Sequence, residues 1–218
     1  TDVVITSTST GGVTLAQALT ANQQYVGTAS SGVDTISVDT AATKAITTGA
    51  GNDVITATGT VGTGGSVDAG DGTDTIVMTS AQAEAADNSA TFNSKFKNFE
   101  ILKVSDALAA TADINVTGIN SVSKVVLAAG GGHASTAIIR DLANNGTVQF
   151  DASATGVTVV VKDALYNTGD TLNVALNSAT AATVGTLTAA GAETLNISAP
   201  DATAAGGAAV KQIGRAHV

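Results

Sequence analysis

The chain has 218 residues, 44% of them apolar but only 12% charged and 3% aromatic. Those shares exclude a charge-rich disordered polymer and a thick core of large side chains, and leave a narrow core of small and β-branched residues. A net charge of −9 argues against nucleic acid and anionic membrane surfaces, and no apolar run is long enough to span a bilayer.

Along the first third, aliphatic residues close a series of short phrases at Val26, Ile36, Ile46, Ile55, Val67 and Ile76. A short strand followed by a glycine-rich turn at this rhythm is the half-coil of a parallel β-roll. Two half-coils make a coil, so Ile36, Ile55 and Ile76 are expected to stack on one face and Val26, Ile46 and Val67 on the other. The "TGTVGTGG" stretch before Ser66 should bulge out as a loop. Glycine and threonine disfavour helix throughout this region.

Thr79-Ser80 followed by "AQAEAA" offers a cap and strong helix formers, which predicts one short helix over roughly 80–87. "FKNFEILKVS" then reads as a strand, with Phe96 and Phe99 as core plugs. Further strands are expected at "EILKVS", "SKVVLAA", "TVQFDA", "VTVVVKD", "TLNVAL" and "TLNIS", with Pro200 closing the last. The fold expected is all-β, a right-handed parallel β-roll or β-solenoid with one short helix. Residues 1–78 form the regular roll and 79–212 a less regular solenoid, with no linker between them.

The terminal "IGRAHV", residues 213–218, is what ATC GGA AGA GCA CAC GTC encodes, a string that matches a common sequencing-library adapter. These residues are expected to be a non-native addition and are set aside. With Thr1 standing where Met would be, the chain reads as a fragment of a longer protein.

Two phrases repeat closely: Gly49-Ala-Gly51-Asn-Asp53-Val-Ile55 and Gly70-Asp-Gly72-Thr-Asp74-Thr-Ile76. Glycine permits tight turns with inward carbonyl oxygens, and Asp adds a hard anionic oxygen of the kind that suits Ca²⁺. One turn supplies half a coordination shell, and the next coil can supply the rest. Asp34 stands at the same spacing in a degraded copy, where Ser30 replaces a glycine. A metal-free corner, where Asp and Asn are favoured in any case, is the competing reading.

Residues 47–77 resemble the calcium-binding nonapeptide repeats of RTX proteins, Gly-Gly-x-Gly-x-Asp-x-aliphatic-x, departing at the first glycine, which is Thr48 in one copy and Ala69 in the other. The resemblance implies Ca²⁺ held by Gly49, Gly51, Asp53, Gly70, Gly72 and Asp74, with Asp34 as a further candidate and Asn52 and Asp71 marginal. The Ala/Thr/Gly-rich, Cys-free composition is also similar to that of calcium-dependent surface-layer proteins of Gram-negative bacteria. That likeness implies a structural, non-enzymatic component of the cell surface, secreted by a type I route and folded by calcium outside the cell. Self-association into a lattice and contact with surface polysaccharide would follow. An adhesin module, or the calcium-binding part of a secreted enzyme, is the alternative; no HExxH or GxSxG motif occurs here.

The remaining polar residues suggest little chemistry. Asp170 and Glu193 could be read as further calcium ligands or as paired catalytic carboxylates, but each sits inside a repeated phrase, "GDTLNV" or "GAETLNI", where a turn or strand-edge role is expected. His133, beside three glycines, reads as a loop residue.

Overall fold

A computed structural model describes residues 2–128, 137–164, 166, 168–178 and 182–199, together with the backbone of 211–217. His133 and Pro200 lie outside the described residues. The fold is a parallel β-solenoid. The chain divides into two compact units: Thr1–Met78, Ala85–Leu102 and Gly118–Asn120 make the first, and Thr79–Glu84, Lys103–Thr117 and Ser121–Val218 the second.

In chain order the first elements are β1 (Val3–Thr6), β2 (Gln23–Val26), β3 (Thr35–Val38), β4 (Ala45–Thr47), β5 (Val54–Ala57), β6 (Ser66–Asp68), β7 (Thr75–Met78), α1 (Ser80–Asp87), α2 (Ala90–Lys95), β8 (Phe96–Lys97) and β9 (Ile101–Val104). Within the first unit, odd and even strands separate. One sheet has the order β1-β2-β4-β6-β8, and β3, β5 and β7 pair in the other. Strands β3, β5 and β7 each bury alternate side chains, as the period of two requires.

Ile36 pairs with Ile55, and Ile55 with Ile76, so the expected column forms and is fully buried. Each such isoleucine contributes about 2–3 kcal/mol of apolar burial. On the opposite sheet Ile46 pairs with Val67, and Val67 with Phe96. Val26, however, pairs with Thr47 and is only half-buried, whereas Tyr25 is fully buried. Aligning phrases on an aliphatic residue missed this by one position, and a one-residue slip exchanges the two faces of a strand.

The loop between β5 and β6 does leave the strand path, but it is not wholly outside the core. Val61 is buried, Gly62 N–H donates to the Ala42 carbonyl, and Lys95 Nζ donates to the carbonyls of Val61 and Gly62. Helix α1 occupies the expected residues. Thr79 Oγ1 accepts the Gln82 N–H at 3.3 Å and Gln82 Oε1 accepts that of Thr79 at 2.8 Å, a reciprocal cap. A second helix, α2, was not anticipated. Ser89 caps it by accepting the Phe92 N–H, and Phe92 is its buried anchor. The single strand expected over "FKNFEILKVS" is instead β8 and β9, broken where Asn98 takes a positive φ of 61°.

The second unit contains β10 (Asp113–Asn115), β11 (Lys124–Leu127), β12 (Ile138–Leu142), β13 (Thr147–Phe150), β14 (Ala154–Val161), β15 (Thr171–Leu176), β16 (Ala182–Ala190), β17 (Thr194–Ser198) and β18 (Lys211–His217). The even strands form one parallel sheet. Its inward column runs Ile114, Ile139, Val159, Ala189. Among the odd strands, Val125, Val148, Val174 and Ile197 stack in register. Strands β10, β12 and β16 were not expected. The β18 backbone pairs with β16 through Lys211 and Gln212 and through residues 213–217 that the adapter reading set aside. An open sheet edge accepts any extended segment with its N–H and C=O groups in line, so this pairing is compatible with a non-native origin.

Close stacking of coils makes some glycines irreplaceable. A Cβ on Gly70 would lie 1.9 Å from the Gly49 carbonyl oxygen, at a φ of +94°. Gly169 has a similar φ of +91°, but a Cβ there would meet nothing within 4 Å. Gly70→Ala is therefore expected to cost about 3 kcal/mol or more. Gly169→Ala should cost only the left-handed strain of about 1–2 kcal/mol. Urea denaturation of the two variants beside the parent chain checks the difference.

Candidate metal centre

The three aspartates singled out by the repeated phrase stand one residue ahead of β3, β5 and β7, at the corner where a glycine-rich turn enters a strand. Asp34, Asp53 and Asp74 are all completely buried. Each carboxylate reaches back one step along the stack. Asp34 Oδ1 accepts the N–H of Val13, Asp53 Oδ1 that of Asp34, and Asp74 Oδ1 that of Asp53, each at 2.7 Å. Glu100 Oε2 continues the series by accepting the N–H of Asp74 at 2.8 Å.

The second oxygens differ along this column. Asp34 Oδ2 accepts the Tyr25 hydroxyl at 2.7 Å, so both oxygens of Asp34 are satisfied by the protein. Burial, and then the carboxylates of Asp34 and Asp53, push the Tyr25 phenol up to about 12. Among the described residues, Asp53 Oδ2 and Asp74 Oδ2 are buried with no hydrogen-bond partner. The column thus holds one saturated aspartate followed by two with an orphaned oxygen each.

A buried anionic oxygen without a donor calls for a proton or a cation. Burial raises the Asp53 carboxyl above its ordinary 3.8; the Asp34 N–H opposes this, and the Asp34 carboxylate adds to it. Burial also raises Asp74, to about 7; the Asp53 N–H opposes this, and the carboxylates of Asp53, Glu100 and Asp68 add to it. The charged groups acting on Asp74 are all of its own sign.

The glycines are placed by the same stacking. Gly49, Gly51, Gly70 and Gly72 all take positive φ. The Gly49 carbonyl accepts the Asp71 N–H at 2.8 Å, and Gly51 N–H donates to the Asp71 carbonyl at 2.9 Å. The Gly51 carbonyl oxygen faces Gly72, where a Cβ would come within 1.7 Å. Asn52 Oδ1 accepts the Thr73 N–H at 2.9 Å, so Asn52 acts as a coil-to-coil tie. A cavity of about 310 Å³ lies along the turns, lined by Thr47, Gly49, Asp68, Gly70, Asp71 and others. Neither Asp53 nor Asp74 lines it.

These residues fit a cation in one respect and limit it in another. The two orphaned oxygens are hard, anionic and in adjacent coils. Among the described residues, though, no group of three or more His, Cys, Asp or Glu side chains could surround a metal. An ion at Asp53 and Asp74 would complete its shell with backbone carbonyls and water, which Ca²⁺ accepts.

Glu100 was missed because it carries the Asp role without the glycines. The signal was present: Glu100 stands two residues before Leu102, as Asp74 stands two before Ile76, and the Asp74 carbonyl accepts the N–H groups of Glu100 and Ile101. No protein-family model matches the chain, and no curated protein matches it.

The raised Asp74 carboxyl sets a sign for the metal-free chain. Its folded pKa of about 7 lies above the ordinary 3.8, so the folded state holds the extra proton between these values. Stability without metal is then full below about pH 4, falls as pH rises through about 7, and levels beyond. Thermal melts in chelator between pH 4.5 and 8 should show this fall, and Asp74→Asn should flatten it.

Proposed function

We propose that the chain is a structural segment of a secreted cell-surface protein, locked in its coiled form by calcium bound at Asp53 and Asp74. The observation that carries this reading is the pair of orphaned, buried oxygens, Asp53 Oδ2 and Asp74 Oδ2, in successive coils. Protonation of both would silence them, but the exterior of a cell near neutral pH supplies calcium in far greater amount than protons. The RTX-like phrase around each aspartate supports the choice of calcium over other divalent ions. When bound, the ion supplies positive charge to a column that otherwise contains only carboxylates.

The chain's own residues do the rest. Oδ1 of each aspartate fixes the register of one coil on the last, leaving Oδ2 for the ion. Gly49, Gly51, Gly70 and Gly72 allow the turns to approach closely enough for backbone oxygens to join the shell. Asp34, saturated by Tyr25 and Val13, closes the column without an ion. Secretion by a type I route, self-association into a surface lattice and contact with surface polysaccharide belong to this reading through the surface-layer resemblance. It assigns no catalytic role.

Adding millimolar Ca²⁺ to chelator-stripped protein at pH 7.5 is expected to raise the melting temperature. The shift is about 5–10 °C if calcium stands near 100 times its dissociation constant. Asp53→Asn with Asp74→Asn keeps an Oδ1 acceptor for each N–H but removes the negative charge, and should abolish most of the shift. Unchanged melting and circular dichroism in the parent chain would overturn the reading.

A further inference from the structure

In the second unit, Asp170 and Glu193 form a clasp with the same construction as Asp74 and Glu100. Glu193 Oε2 accepts the N–H of Asp170 at 2.7 Å and that of Gly169 at 3.2 Å. In return, the Asp170 carbonyl accepts the N–H groups of Glu193 at 2.9 Å and Thr194 at 3.0 Å. The corresponding distances at Asp74 and Glu100 are 2.8, 3.1 and 2.9 Å, for Asp74 N–H to Glu100 Oε2 and for Glu100 and Ile101 N–H to the Asp74 carbonyl. Two independent stretches of chain, one with RTX-like glycines and one without, thus build the same arrangement.

Asp170 is 1% exposed, and among the described residues its Oδ2 is buried with no hydrogen-bond partner. Two backbone donors hold the Glu193 carboxylate over the Gly169–Asp170 turn, while the Glu193 residue is itself exposed. Among the described residues, a Cβ on Gly169 would meet nothing within 4 Å, so the turn has room on that side. The turn therefore combines a buried carboxylate oxygen without a donor, a second carboxylate fixed next to its backbone, and space on the Gly169 side.

We propose that Asp170 and Glu193 hold a second divalent cation, with Asp170 Oδ2 as the buried ligand and Glu193 Oε1 as the solvent-side ligand. Two carboxylates match a doubly charged ion, and the all-oxygen set favours Ca²⁺, which tolerates an irregular shell completed by water and backbone oxygen. The exposed Glu193 gives the ion access from solvent. The inference rests on the reading proposed for Asp53 and Asp74, that an orphaned carboxylate oxygen in these coils is met by a cation. It extends that reading to a turn lacking the Gly-x-Gly-x-Asp phrase.

The test is calcium stoichiometry on the full chain, by isothermal titration of chelator-stripped protein with Ca²⁺ alone at pH 7.5. Asp170→Asn is expected to bind one ion fewer than the parent chain. Glu193→Gln should weaken that same site roughly tenfold or more, since affinity follows the charge of the ligand set. The double variant Asp53→Asn, Asp74→Asn should keep the Asp170 ion. If that double variant loses ions while Asp170→Asn binds as the parent does, this inference falls and the function proposed above stands. If Asp170→Asn loses an ion while the double variant does not, the inference stands and the Asp53–Asp74 site falls. A parent chain that binds no calcium overturns both. Circular dichroism establishes that each variant is folded, and Glu193→Gln, at an exposed residue, carries the test if Asp170→Asn does not fold: unchanged affinity there overturns the inference.

Discussion

The first unit depends on one constraint: a carboxylate buried at each corner must meet a donor, and the donor is the N–H one step back along the stack. Val13, Asp34, Asp53 and Asp74 donate in turn to Asp34, Asp53, Asp74 and Glu100. This bond ties side chain to register, because Asp53 reaches the Asp34 N–H only if β5 lies in step with β3. The pairing of Ile36 with Ile55 and Ile76 is the same register seen from the core side. Apolar burial drives the columns together but permits sliding; the corner bonds make one register better than its neighbours.

The same bonds create the charge problem that gives the site its chemistry. Coils in a parallel sheet lie about 4.8 Å apart. Two ionised carboxylates at that spacing repel by about 3 kcal/mol at an effective dielectric of 20. A hydrogen bond to a charged group returns about 1.5–3 kcal/mol, which at best cancels the repulsion and leaves desolvation unmet. Tyr25 resolves the conflict at Asp34 by donating to its second oxygen. Asp53 and Asp74 have no such neighbour, so a proton or a cation must take that place.

Much of the fold was legible because solenoid physics is written locally. The spacing of Ile36, Ile55 and Ile76 revealed their column, and the helix formers after Thr79 revealed α1. Strands β10, β12 and β16 were hidden. The first is only Asp113–Asn115, the second carries Arg140 and Asp141 within "IIRDL", and the third, "ATVGTLTAA", alternates small residues with little apolar contrast. Their strand character comes from pairing with neighbours, a non-local property. At the site, the aspartates were legible from the phrase. The saturation of Asp34 was not, because Tyr25 reaches it from the preceding strand β2, outside the glycine-rich phrase, and Glu100 escaped notice because a glutamate after Phe99 has no glycine signature.

In the proposed reading, protons and calcium compete for the same two oxygens, which gives the column a preference that composition alone would not imply. An acidic chain is usually expected to lose stability as its carboxylates are protonated. Here the buried pair is more easily folded protonated than bare, since Asp74 titrates near 7. A cation bound as proposed would make the ionised form the better-folded one, coil by coil, because each coil contacts chiefly its neighbours. If ions bind as proposed, a few sites suffice for a long stack, each ion removing the one local repulsion that opposes a register already favoured by the apolar columns. Sparse carboxylate corners set among long stretches of small, uncharged residues are the pattern that such a division of labour requires.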